Sequence, residues 1–166
     1  PIKRCVDTAA LMIEGADRTH KVVNTHTIEI VEQRLLVEPG SFVLDIQQAA
    51  PYFRKQGALG FINSFVNNAL PGMKHPITGV FDVLELLYHT HPTQHNGLSL
   101  AVSHDTILAA IVAVISGNKQ IEQSDWPDMM EGLFVWFEGE DFSNSKLKWI
   151  WRGQKHELVI KDFQNK

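Results

Sequence analysis

From Ile107 to Ile115 the chain is apolar without a break, and the helix this run predicts has no polar face to offer solvent. It belongs in a core. Ahead of it, Leu98, Leu100 and Val102 supply the apolar positions of a buried strand, with Asn96-Gly97 as the break before it. Asp105 suits the first turn of the helix, and Gly117 suits a left-handed end. Strand, sharp turn and buried helix together predict an α/β unit with His104 and Asp105 in the turn.

The same reading along the chain predicts a helix over Arg4–Glu14 that ends at Gly15. A strand follows over Ile28–Val37, then a turn at Glu38-Pro39-Gly40 and a second short apolar run over Ser41–Ile46. Asp45 is placed to cap the next helix, Pro51–Leu70, whose Phe53, Leu59, Ile62 and Phe65 share a face. Pro76 opens another helix, running to about Tyr88. Polar loops are expected over His89–Gly97 and around Asp125-Trp126-Pro127. Leu133–Phe137 and Leu147–Trp151 read as a long-looped hairpin, and Leu158-Val159-Ile160 as a last short strand. With no repeat, low-complexity tract or linker, the expectation is one domain over residues 1–166. Its expected fold class is α/β, a three-layer α/β/α sandwich with a mostly parallel central sheet and a C-terminal hairpin extending it.

Composition narrows this only mildly. The 166 residues are 44% hydrophobic and 20% charged, ordinary values for a globular domain. A formal net charge of -4 gives no footprint for nucleic acid, and no run of about 18 apolar residues predicts a membrane span. The one cysteine, Cys5, excludes an internal disulfide and a multi-cysteine zinc site, and leaves the compartment open. The sequence opens directly in a helical pattern without an initiator Met, which suggests a piece of a longer protein.

Chemistry concentrates at His104-Asp105. Open α/β sheets put ligands where a strand ends and a helix begins, and the free N–H groups and dipole of a helix start favour anions. An imidazole and a carboxylate there suggest acid–base work beside a phosphate or similar anion. His89, His91 and His95 have a spacing that suits a metal, but Pro92 and Asn96-Gly97 make a surface loop the simpler reading. His20, His26 and His156 stand in polar surroundings and read as surface residues. Lys74-His75 could assist an anionic substrate or sit solvated in a loop. Trp136, Trp149 and Trp151 alternate along strands, so core packing is their default role.

Arg4-Cys5-Val6-Asp7-Thr8-Ala9, closing at Gly15, and Ser103-His104-Asp105-Thr106 together resemble the histidine phosphatase superfamily, which includes phosphoglycerate mutases and histidine acid phosphatases. In that family an Arg opens a helix soon after the second strand, and Pro1-Ile2-Lys3-Arg4 looks like the end of that pattern. Thr8, Ala9 and Gly15 stand where the acid-phosphatase branch has a small hydroxyl residue, an Ala and a closing Gly. The resemblance covers roughly residues 1–117.

It implies that Arg4 is a phosphate ligand with a planar fork for two phosphoryl oxygens, and that His104 is a second phosphate-pocket group that stabilises transition-state charge. Asp105 is implied as the general acid that protonates the leaving alcohol. The mutase-like branch uses a Glu from an earlier loop. Val37–Phe42 resembles that stretch, but Val43 stands where the acid should be, leaving Glu38 or Asp45 as alternatives.

The family's nucleophile, a histidine in an Arg-His-Gly motif after the first strand, does not occur in these 166 residues. The resemblance therefore implies the C-terminal portion of a histidine phosphatase, with the N-terminal strands of the family fold missing and an unseen segment or chain completing the sheet. It implies phosphomonoester hydrolysis or phosphoryl transfer through a phosphohistidine intermediate, with no cofactor or metal. The implied partner is a small phosphorylated substrate or inorganic phosphate, with no nucleic acid or membrane. The chain alone is expected to be inactive, and Arg4 and His104 are expected to approach a common pocket. The alternative is a non-catalytic module of the same fold that binds an anion or a protein. Substrate choice would come from the segment between Ser41 and Asn96, which matches no pattern.

Overall fold

The apolar run does become a buried helix, and the rest of the molecule is arranged around it. A computed structural model describes residues 3–20, 28–37, 42–90 and 97–164, apart from the side chains of 17–20. In chain order the elements are α1 (Lys3–His20), α2 (Ile46–Val66), α3 (Pro76–His89), α4 (Asp105–Ser116), β1 (Phe134–Glu138), β2 (Lys146–Trp151), β3 (Gln154–Val159) and α5 (Ile160–Gln164).

Ile107, Ala109, Ala110, Ile111, Ala113 and Ile115 of α4 are all buried. Gly117 ends the helix at φ 74°, where its lack of a Cβ removes the steric cost of the left-handed conformation. α2 and α3 pack against α4, and Phe65, Val66, Val80, Val83 and Leu84 form the fully buried centre. α2 starts where Asp45 caps it, its Oδ1 accepting the amides of Gln47 and Gln48. The helix is interrupted at Gly57, whose φ of 68° and ψ of 178° lie outside helical space. Pro76 occupies the first turn of α3, where a missing N–H costs nothing. Phe42 lies so close over α3 that a Cβ at Gly79 would sit 2.6 Å from its ring.

The three strands form an antiparallel sheet in the order β1-β2-β3. Arg152 and Gly153, with φ of 47° and 77°, turn β2 into β3 in the paired positive-φ geometry that suits the twist of a hairpin. Leu147 and Trp149 face the core, while Lys148 on the other face pairs with Glu138 at 2.8 Å. Ile160 and Phe163 of α5 are buried, and α5 packs against α3.

The expected three-layer sandwich with a mostly parallel sheet does not form: the chain has helices and a three-stranded antiparallel sheet. Residues 28–37 and 98–102, the expected strands, join no ladder among the described residues. Leu98 is 83% exposed, Leu100 59% and Val31 61%. The physical reason lies in how parallel strands are stabilised. They need paired neighbours and covered faces, and an apolar alternation alone supplies neither. Side chains tether the second segment instead: Ser99 Oγ donates to the Thr90 carbonyl and Ser103 Oγ to the Leu36 carbonyl, both at 2.7 Å.

The earlier expected strand keeps only a 3-10 turn over Arg34–Leu36. Of the Ser41–Ile46 run, the described residues 42–46 keep a single bridge, Val43 to Met73. α1 also runs through Gly15, where helix was expected to stop. A glycine inside a helix costs about 1 kcal/mol, which is too little to end it alone. Among the described residues no helix is long and apolar enough to cross a membrane.

Candidate functional site

His104 precedes α4 with extended backbone angles, φ -111° and ψ 153°, and makes no capping bond with its side chain. Its imidazole is thus available to another element, and that element is α1. Arg4 Nη2 lies 3.0 Å from His104 Nδ1, across 100 residues of sequence. A guanidinium has donors and no acceptor, so Nδ1 is the acceptor here and the ring proton resides on Nε2. Cys5 Sγ stands 3.7 Å from that Nε2. Two neighbouring residues of α1 therefore bracket both ring nitrogens of a residue that is only 7% exposed. The guanidinium itself belongs to an exposed residue, and Thr8 Oγ1 donates to the Arg4 carbonyl at 2.8 Å.

Asp105 is the first residue of α4, and both of its oxygens accept hydrogen bonds. Oδ1 takes the Thr106 amide at 2.8 Å, and Oδ2 takes the Trp126 indole N–H at 3.0 Å. Trp126 is held in turn by Arg152, which donates to the Trp126 carbonyl at 2.9 Å and to the Ser124 carbonyl at 2.6 Å. The same guanidinium grips Glu131 with two bonds, of 2.8 and 2.9 Å. That hydrogen bonding is the main reason the Glu131 carboxyl is held below its ordinary value of 4.5, against a weaker opposing effect of burial. A strand-end arginine thus fixes the loop that fixes the Asp105 carboxylate.

Sequence reading brought out Arg4, His104 and Asp105, and the structure brings Arg4 onto His104 with Asp105 next in the chain. It did not bring out Cys5, Trp126 or Arg152. For Trp126 a signal existed: an indole in a polar Asp-Trp-Pro loop carries a donor that seeks an acceptor once it is partly buried.

Of the alternative acids, Glu38 lies outside the described residues. Asp45 is committed to the start of α2. The Gln48 side chain, 2.7 Å from Oδ2, and then the Gln47 and Gln48 amides hold its carboxyl below the usual 3.8. A carboxylate held ionised in this way is a poor proton donor.

Of the other residues singled out in the sequence, His26 and the His20 side chain lie outside the described residues. Lys74 is paired with Asp82 at 2.7 Å, and His75 is exposed at the start of α3. His89 ends α3 edge-on to Tyr88, while His91 and His95 lie outside the described residues. Among the described residues no group of three His, Cys, Asp or Glu is placed to hold a metal ion. His156 stacks on Trp149 with centroids 5.2 Å apart, so its surface position is also a packing one. Trp149 is buried, as core packing requires, and Trp136 and Trp151 are half-buried.

Chemically, the arrangement offers an anion a planar fork from Arg4, a ring nitrogen from His104 and the positive end of α4. Comparison with models of known protein families, with curated proteins and with solved structures found no match.

Proposed function

We propose that Arg4 and His104 hold the phosphoryl group of a phosphomonoester, as the C-terminal part of a histidine phosphatase. The observation that carries this reading is the 3.0 Å approach of the Arg4 guanidinium to His104 Nδ1 at the start of α4. An oxyanion that enters between them replaces the Arg4–Nδ1 bond, accepting from the guanidinium and from a proton taken up on Nδ1. In the complete enzyme a histidine from outside these residues attacks phosphorus, Asp105 gives a proton to the departing alkoxide, and water then cleaves the phosphohistidine. The 166 residues alone contain no Arg-His-Gly and turn over negligible substrate.

The test is calorimetric titration of the chain with inorganic phosphate. Binding that weakens about tenfold or more in both Arg4→Ala and His104→Ala supports the reading, and binding indifferent to both contradicts it.

A second reading, a non-catalytic anion-binding module, is favoured by Asp105. Both of its oxygens accept bonds from the chain's own N–H groups, as an ionised helix cap would. The two readings part over the complete protein: p-nitrophenyl phosphate turnover marks the enzyme, and phosphate binding without turnover marks the module.

A further inference from the structure

Between α2 and α4 lies a cavity of about 440 Å³, within the size range of small-molecule sites. Its lining runs from the surface to the core. Ile46 and Phe53 are 50% and 40% exposed, while Ala49, Ile62 and Ile107 are buried. A flat docking patch would be lined by exposed residues alone, so the shape suits a slender ligand that enters end-on. α2 is broken at Gly57, and both of its halves contribute walls: Phe53 and Arg54 from the first, Phe61 and Ile62 from the second. Arg4, Cys5, His104 and Asp105 are not among the lining residues.

Arg54 is the one charged residue on the described wall. It is exposed, and no described residue makes an ion pair or hydrogen bond with it. An arginine lays its stem along apolar surface and keeps its guanidinium in water. The cavity therefore has one uncompensated positive charge on its solvent side and an apolar interior behind it.

We infer that this cavity binds an amphipathic carboxylate of the medium-chain fatty-acid class, with the alkyl chain inside and the carboxylate on Arg54. The inference does not rest on the phosphate reading of Arg4 and His104. Three observations carry it together. Apart from Arg54 and Thr106 the lining side chains are apolar, so an alkyl chain leaves water there without burying a polar group of its own. Charge complementarity sets the head group, because a guanidinium fork matches the two oxygens of a carboxylate and gains nothing from a neutral hydrocarbon. Ile46 and Phe53 leave apolar surface in water at the cavity, which a bound chain would cover.

The experiment titrates the 166-residue chain by calorimetry with butanoate, hexanoate, octanoate and decanoate, and with 1-octanol as the uncharged control. Nuclear Overhauser contacts from octanoate locate its chain. Affinity should rise about fourfold per added methylene until the cavity is filled. The terminal methyl of octanoate should contact the methyl groups of Ile62, Met73 and Ile107. Arg54→Gln breaks no contact within the chain, so it should keep the fold, weaken octanoate about threefold or more and leave 1-octanol unchanged. Ala50→Phe, which fills the cavity, should abolish binding of both; the wild-type contacts decide the matter should that variant not fold.

Affinity independent of chain length, or contacts outside the cavity, would overturn the inference. Octanoate binding that Arg54→Gln leaves unchanged would overturn it too, since the carboxylate would then have no partner there. No saturable binding of octanoate or decanoate, as when a segment of the chain fills the cavity, would do the same. The phosphate reading is tested separately, by inorganic phosphate at Arg4 and His104.

Discussion

The indole N–H of Trp126 donates to Asp105 Oδ2 at 3.0 Å, joining a loop beyond α4 to the first residue of that helix. To act as an acid Asp105 must carry a proton on one of two oxygens that both accept hydrogen bonds here, and the indole fixes where that carboxyl points. On the proposed phosphatase reading, Asp105→Asn in a protein that also carries the nucleophile should keep phosphate binding and slow phosphorylation. The loss should be smallest for p-nitrophenyl phosphate, whose leaving group needs no proton, and larger for an alkyl phosphate. Trp126→Phe removes the bond and keeps the carboxyl, so it should alter the rate on the alkyl phosphate less than Asp105→Asn does. The check is kcat for the two substrates in each variant, and equal losses with both substrates would leave Asp105 only a helix cap.

Acid should release the loop that holds Trp126. Arg152 keeps the Glu131 carboxyl below its ordinary 4.5, so the stabilisation is complete above about that pH and is lost as pH falls through the folded-state value. Arg152 keeps its charge throughout. The pair is partly exposed, with 34% of the Arg152 and 20% of the Glu131 side chain accessible, so its contribution stays below about 1 kcal/mol. The indole proton of Trp126 followed by NMR should shift in the same acidic window, and Glu131→Gln should remove that transition.

Two glycines should respond in opposite directions to alanine. A Cβ at Gly79 would lie 2.6 Å from Phe42 Cδ1, inside a core where the ring is also held by Phe65 at 4.7 Å. Gly79→Ala should cost about 1–3 kcal/mol by overpacking. A Cβ at Gly15, inside α1, meets nothing within 4 Å. Gly15→Ala should add about 0.5–1 kcal/mol by removing unfolded-chain freedom. Thermal or urea unfolding of both variants provides the comparison.

These contrasts mark how far the sequence can be read. The α4 run, its Gly117 end, the Asp45 cap, the Pro76 start and the β1–β2 hairpin were legible because each rests on chemistry within a few residues. The expected parallel strands at 28–37 and 98–102 were not, because pairing depends on what lies alongside, and the described chain sets no strand there. At the site, Arg4, His104 and Asp105 came out of local pattern and resemblance. Cys5 on His104 Nε2, Trp126 on Asp105 and Arg152 behind Trp126 are contacts between distant segments, with no periodicity to reveal them.

Phosphate entering between Arg4 and His104, as proposed, would be reported most directly by the imidazole nitrogens of His104. In the free chain Nδ1 accepts from Arg4 and Nε2 carries the ring proton. Titration with inorganic phosphate, followed by the 15N resonances of the His104 ring and the Arg4 guanidinium, should give saturable shifts at both side chains with one shared affinity. Arg4→Ala should weaken the His104 response at least about tenfold. Unchanged His104 resonances at saturating phosphate, or shifts confined to other residues, would contradict the account.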